Sequence, residues 1–209
     1  MKIVRFSLGA LGTNCYIVHN DKNALIFDPG AEASKIKNYL TEENLQPLAI
    51  LLTHAHFDHI GAVDELRKSY NIDVYGHELE ANWLEDPCLN RSDRFIGEEI
   101  ITSKPEKILV EGEFNINNFT FEVIHTPGHS PGSVTFVFHE ESFMISGDVL
   151  FLQGIGRTDL PGGSHEVLEQ TIQEKLYKLP ANYVVLPGHG QETNIGYEKE
   201  NNLYVRAKS

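Results

Sequence analysis

Short apolar runs separated by turn residues fill the first third of the chain. Lys2 to Leu8, Asn14 to His19 and Ala24 to Phe27 are β-rich, and the third run ends in Asp28-Pro29-Gly30. Runs of this length between turn signals predict paired antiparallel strands. From Ala31 to Glu43 the spacing of Ile36, Tyr39 and Leu40 predicts a helix, while the nearly continuous apolar run Pro47 to Thr53 fits a buried strand. Phe57 to Tyr70 predicts a further helix and Asp73 to Gly76 a short strand. Glu78 to Leu84 reads as helical, and Glu85 to Ser103 as a polar connection without assigned structure.

The pattern resumes near Lys107. Phe114 to Ile116 and Phe119 to Ile124 flank Asn117-Asn118, a hairpin signal, and Ser133 to His139 and Ser142 to Ser146 continue the strands. His165 to Leu179 carries Val167, Leu168, Ile172, Leu176 and Leu179 at helical spacing, followed by a strand, Tyr183 to Leu186, and a short terminal helix. No low-complexity linker interrupts the chain. The expectation is one α/β domain over 1–209 built from two β/α lobes, about 1–106 and 107–209, with sheets packed together and helices outside.

Charge narrows the function classes. The 209 residues carry a formal net charge of −13, which repels polyanions, so no nucleic-acid partner is expected and small molecules fit better. Arg5, Ser7 and Gly9 break the apolar content of the N-terminal stretch, so neither a signal peptide nor a membrane partner is expected. Two cysteines, Cys15 and Cys88, are too few for a disulfide scaffold, and the expected compartment is the cytoplasm.

The strongest chemical signal is Thr53-His54-Ala55-His56-Phe57-Asp58-His59, where a predicted strand hands over to a helix. In an extended chain His54 and His56 point to one side, and Asp58 and His59 in the first helical turn can face the same cleft from another angle. Imidazole and carboxylate suit zinc, and also iron or manganese. Three later turns each bring one ligand-type residue to the end of a predicted strand: His129 in Thr126-Pro127-Gly128-His129, Asp148 in Ser146-Gly147-Asp148, and His189 in Pro187-Gly188-His189-Gly190. Taken singly, each is an ordinary turn; the repetition is what points to a site.

In that order, His54, His56, Asp58, His59, His129, Asp148 and His189 resemble the metal signature of the metallo-β-lactamase superfamily. The resemblance spans nearly the whole chain. It implies a four-layer αββα sandwich and two divalent ions, expected to be zinc. His54, His56 and His129 would hold the first, Asp58, His59 and His189 the second, and Asp148 would bridge them. Gly147 to Phe151 and Gly154-Ile155-Gly156-Arg157-Thr158-Asp159 are similar to the glyoxalase II-like branch. That implies hydrolysis of a small-molecule thioester, such as an S-(2-hydroxyacyl) derivative of a low-molecular-weight thiol, by hydroxide formed at the ions. Asp58 is the candidate to orient the attacking water. Glyoxalase II enzymes carry a C-terminal helical region that helps bind glutathione, and about twenty residues follow His189 here, which leaves the thiol carrier open between glutathione, another low-molecular-weight thiol and a different acyl ester.

Rivals remain at this level. The loop around Arg157 is similar to that of mononuclear iron persulfide dioxygenases, in which His54, His129 and Asp148 would form a facial triad. A nuclease of the same superfamily is disfavoured by the acidic charge, a flavin-linked diiron oxidoreductase by His56, and an antibiotic-degrading role by the N-terminal sequence. A non-catalytic metal-binding module is the plainest alternative. Arg157 reads equally as a contact for an anionic substrate and as a partner of Asp159 that secures its loop. Asp28 reads as a turn residue that supports ligands, Trp83 as packing, His125 as structural, and His19, His77, His139 and His165 as surface or ligand-supporting groups.

Overall fold

A computed structural model describes residues 1–95 and 97–207, and the chain divides into two compact units, Met1–Leu109 and Val110–Ser209. In the first, β1 (Lys2–Leu8), β2 (Thr13–His19) and β3 (Asn23–Phe27) pair antiparallel, with Phe6 opposite Cys15 and Tyr16 opposite Phe27. β4 (Gln46–Leu51), β5 (Asp73–His77) and β6 (Lys107–Leu109) then add in parallel, giving a six-stranded sheet in chain order. Parallel neighbours need crossovers. α1 (Ala33–Glu42) supplies the first, α2 (Phe57–Ile60) and α3 (Val63–Tyr70) the second, and α4 (Pro87–Asn90) and α5 (Ser92–Phe95) lie in the third.

Ile17, Ile26, Ile50 and Val74 from the sheet pack with Ile36, Leu40, Val63 and Leu66 from α1 and α3. Each is essentially fully buried, a gain of about 1.5–3 kcal/mol per side chain relative to exposure.

Two departures from the sequence reading have local causes. The helix expected over Phe57 to Tyr70 breaks at Gly61-Ala62, because the Asp28-Pro29-Gly30 turn is pressed against it. Ala62 N–H donates to the Pro29 carbonyl at 2.9 Å, and a Cβ on Gly30 would lie 1.6 Å from the Asp58 carbonyl oxygen. The stretch Glu78 to Leu84 forms two 3-10 turns, Glu78–Glu80 and Trp83–Glu85, rather than a helix. The polar connection beyond it is ordered by side chains. Asp86 caps α4, and buried Asn90 donates to the Trp83 and Ile100 carbonyls while accepting from Ser92 N–H.

In the second unit β7 (Gly112–Ile116), β8 (Phe119–His125), β9 (Val134–Phe138) and β10 (Phe143–Gly147) form an antiparallel meander. Asn117 makes the first hairpin turn with φ 55°, a conformation Asn tolerates. A small hairpin, β11 (Leu150–Phe151) with β12 (Gly154–Ile155), follows. Then come α6 (His165–Glu174), β13 (Val184–Pro187) parallel to β10, β14 (Thr193–Asn194), and α7 (Ile195–Asn201). The sheet order is β14-β13-β10-β9-β8-β7.

Met144, Val137 and Val185 pack with Leu168, Ile172, Leu176 and Ile195. Ser164 and Asn194 start the two helices by accepting the Val167 and Tyr197 amides. The expected helix through Leu179 stops at Glu174, and Leu176–Lys178 is a 3-10 turn. Among the described residues no helix is long and apolar enough to cross a membrane.

Candidate metal-binding site

β4 ends at Leu51, and the chain stays extended to His56, whose ψ is 149°, before α2 begins at Phe57. This brings His54 beside both His56 and His59, and His59 beside Asp58. The His54 ring lies 4.8 Å from that of His56 and 4.1 Å from that of His59, centroid to centroid. Ligand-type atoms of His54 and His56, of His54 and His59, and of Asp58 and His59 come within 4.8 Å pairwise. Such crowding of ligand atoms, with His59 Nε2 3.5 Å from Asp58 Oδ2, sits at the limit of hydrogen bonding and suits donors turned toward a common ion.

Asp28 organises the cluster. Its Oδ1 accepts the Thr53 amide at 2.8 Å, and its Oδ2 accepts the Thr53 hydroxyl at 2.6 Å and His59 Nδ1–H at 3.0 Å. Because the Thr53 proton is committed to Asp28, His54 Nδ1–H must donate to Thr53 Oγ1, 3.1 Å away. Asp28 is 1 % exposed and holds φ 48°, so the turn read in the sequence serves mainly to aim a buried acceptor. Glu80, also buried, takes the Ala55 amide between the two histidines at 2.7 Å. Thr13 donates to Asp58 Oδ2 at 2.7 Å. Trp83 packs against the core and lies 5.8 Å from the His56 ring, the packing role expected of it.

In the second unit His129, Asp148 and His189 converge from three separate turns. Asp148 Oδ2 stands 3.7 Å from His129 Nε2 and 3.5 Å from His189 Nε2. His129 Nδ1 donates to the Arg157 carbonyl at 2.8 Å, and a carbonyl can only accept, which fixes the tautomer. Gly156 makes this contact feasible. A Cβ there would lie 1.8 Å from the Asp148 carbonyl oxygen and 3.1 Å from His129 Nδ1.

Glu198 on α7 clamps the β11–β12 hairpin. It is fully buried and accepts the Gln153 amide, the Thr193 hydroxyl and the Asn202 side-chain amide, while Asn202 also donates to the Gly154 carbonyl.

The Arg157 side chain forms a bidentate pair with Asp159, at 2.8 and 2.7 Å, half-exposed. That pair holds the Asp159 carboxyl down at about 2 and raises the guanidinium further. His125 closes its turn through Nε2 to the Pro131 carbonyl, as expected of a structural residue. His19, grouped with surface or ligand-supporting histidines in the sequence reading, is instead a core residue bonded to the Tyr39 hydroxyl and the Asn20 carbonyl.

The donor set fits divalent metal ions. His54, His59 and His129 each commit Nδ1–H to an oxygen, which puts the lone pair on Nε2. That is the arrangement in which a ligating histidine is oriented by an acceptor behind it. The sequence analysis singled out His54, His56, Asp58, His59, His129, Asp148 and His189 but missed Glu80, Thr13 and Glu198. No local pattern marks them, since each acts across the fold.

Residues 8–189 match the model of the metallo-beta-lactamase superfamily. The chain belongs to the metallo-β-lactamase superfamily. It is 50 % identical, over the full length of both chains, to the probable metallo-hydrolase YqgX of Bacillus subtilis. It is 37 % identical, again over both full lengths, to the hydroxyacylglutathione hydrolase GloC of Haemophilus influenzae. Among solved structures, the BLEG-1 B3 metallo-beta-lactamase matches with TM-score 0.95 and 50 % identity over 98 % of this chain and 99 % of that one. TTHA1623 in a di-iron-bound form matches with TM-score 0.87 and 38 % identity over 97 % and 100 %.

The α/β metallo-β-lactamase fold expected from the sequence is therefore the fold of this chain, and within the superfamily it is a metal-dependent hydrolase.

Proposed function

We propose that this metallo-β-lactamase superfamily member is a cytoplasmic thioesterase that hydrolyses a small-molecule S-acyl thiol at two zinc ions. His54, His56, Asp58, His59, His129, Asp148 and His189 would hold the ions. The observation that carries the reading is the shared tautomer of His54, His59 and His129, which puts the acceptor lone pair on Nε2 in both units. The GloC relationship supports the thioester, and two free cysteines are compatible with a reducing compartment. The acidic charge supports a partner other than nucleic acid.

Divalent ions held by these residues would lower the pKa of a bound water from about 15.7 toward 7 and polarise a carbonyl oxygen. The protein does the rest. Asp58, fixed by Thr13, orients the attacking water. The water oxygen adds to the acyl carbon and the C–S bond then breaks, giving a carboxylate and a thiolate that takes one water proton to leave as the thiol, while the other proton passes to solvent. Asp148, between His129 and His189, sets the spacing of the ligands. Arg157 would meet an anionic part of the substrate by exchanging its partner Asp159 for it.

Elemental analysis of anaerobically purified protein, with turnover of S-lactoyl thioesters and oxygen uptake with a persulfide, tests this. About two zinc ions and thioester turnover support it, whereas one iron with persulfide-dependent oxygen uptake overturns it. Asp148→Ala should lose both metal and rate; full metal content with normal turnover would refute the assignment. The likeness to BLEG-1 favours a second reading, opening of a β-lactam ring by the same residues, and turnover of a chromogenic cephalosporin in preference to thioesters would establish it.

A further inference from the structure

A groove of about 680 Å³ lies in the first unit, within the size range of small-molecule pockets. Its apolar lining comes from Leu8, Leu11, Phe57, Phe95 and Ile100. Leu11 and Phe95 are 53 % and 45 % exposed, a cost in contact with water that a ligand would remove. The Phe95 ring stacks on Phe57, centroids 5.9 Å apart and planes 17° from parallel, so the floor presents a flat aromatic surface. Asp58 also lines the groove. That residue belongs to the proposed metal-ligand set, and the sharing ties the groove to the reaction.

Charge selects the occupant. Among the described residues of the lining the charged ones are Glu32, Asp58 and Glu98, and none is a lysine, arginine or histidine. Glu32 is engaged by Lys35 and by the Gly9 amide, which hold its carboxyl below the usual range. Glu98 is exposed at the rim. Away from the ions, an anionic group entering here would lose water without meeting a cationic side chain of the described lining and would face the Glu98 carboxylate, whereas an uncharged apolar group meets only favourable burial. Resting on the thioesterase reading, we infer that this groove binds the acyl half of the substrate and selects an uncharged, aromatic or branched apolar acyl group over an anionic one.

The test uses N-acetylcysteamine thioesters that share one thiol and differ in acyl group: acetyl, phenylacetyl and succinyl. With the metal-loaded enzyme, kcat/KM for phenylacetyl should exceed that for acetyl by about 10-fold or more, and succinyl should fall below acetyl. Phe95→Ala and Leu11→Asp should each bring the phenylacetyl to acetyl ratio toward one. A ratio unchanged in both variants, or a preference for succinyl, would overturn the inference.

If no acyl thioester is hydrolysed, the thioesterase reading fails by itself, and binding then decides the groove. Saturation-transfer NMR with neutral 2-phenylacetamide should show contact with the wild-type protein and none with Leu11→Asp. Equal signals in both, or none in either, reject the groove as an acyl site. A concentration-dependent dimer abolished by Leu11→Asp would assign the apolar surface to a second copy of the chain and overturn the proposal as well.

Discussion

The two units hold their ligand-type residues by different means. In the first, all four come from one segment, His54 to His59, braced from behind by carboxylates on distant elements, Asp28 and Glu80. In the second, His129, Asp148 and His189 come from three turns, and the brace on His129 is main chain: the Arg157 carbonyl, brought close because Gly156 has no Cβ. A carboxylate brace can be removed by exchanging one atom of a side chain. A main-chain brace responds to packing and is indifferent to the identity of the side chain that carries it. The difference predicts which substitutions each half tolerates.

The largest effect is expected from Asp28→Asn. Asparagine accepts the positive φ of this position, so the backbone need not change. Both carboxylate oxygens accept, however, and the new amide must turn its N–H groups toward Thr53 N–H or toward the Thr53 hydroxyl and His59. Losing hydrogen bonds to a buried acceptor and leaving a donor facing a donor should cost about 2–4 kcal/mol in denaturant unfolding of the metal-free protein. Competition against a chelator should show metal affinity lower by about 10–100-fold. A variant with unaltered unfolding and affinity would remove Asp28 from the account.

Gly156→Ala probes the other half. Its Cβ would overlap the Asp148 carbonyl, so the loop must move away from both Asp148 and His129. The expected destabilisation is about 1–3 kcal/mol, the cost of overpacking, with metal affinity reduced alongside it. Glu80→Gln should do less, about 1 kcal/mol, because the glutamine carbonyl can still accept the Ala55 amide. Were Glu80→Gln as damaging as Asp28→Asn, the two carboxylates of the first unit would be equal partners, and Asp28 would lose its special place.

The same contrast explains what was legible in the sequence. His54 to His59 announces itself because its ligand-type residues are contiguous and sit on a strand-to-helix junction. His129, Asp148 and His189 are ordinary turn residues one at a time, and only their order and repeated context distinguish them. Strands such as β1 and the β7–β8 hairpin follow from local apolar runs and turn signals. The break at Gly61 does not, because it arises from the Pro29-Gly30 turn more than thirty residues away, and neither Glu80 nor Glu198 belongs to any local pattern. Long-range polar contacts of this kind carry no periodicity, and so leave no trace in a pattern of apolar spacing.

Arg157→Ala should have the smallest effect and makes the sharpest separation of side chain from main chain. The truncation removes the pair with Asp159 but leaves the carbonyl that accepts from His129. Metal affinity should therefore stay within about 2-fold of wild type, since exposed ion pairs contribute little. The pair can still be followed through Asp159. In the wild type its carboxyl titrates at about 2, against 3.8 for an unperturbed aspartate, chiefly because Arg157 hydrogen-bonds to it. A depressed carboxyl stabilises the folded loop above pH of about 3.8 and loses that contribution as pH falls toward 2. In Arg157→Ala the Asp159 midpoint, read from carboxyl NMR shifts, should rise toward 3.8, so that the acid response of this loop moves upward while metal affinity holds. If affinity fell together with the rise in midpoint, the side-chain pair would be positioning the carbonyl, and the main-chain brace of the second unit would depend on Arg157 after all.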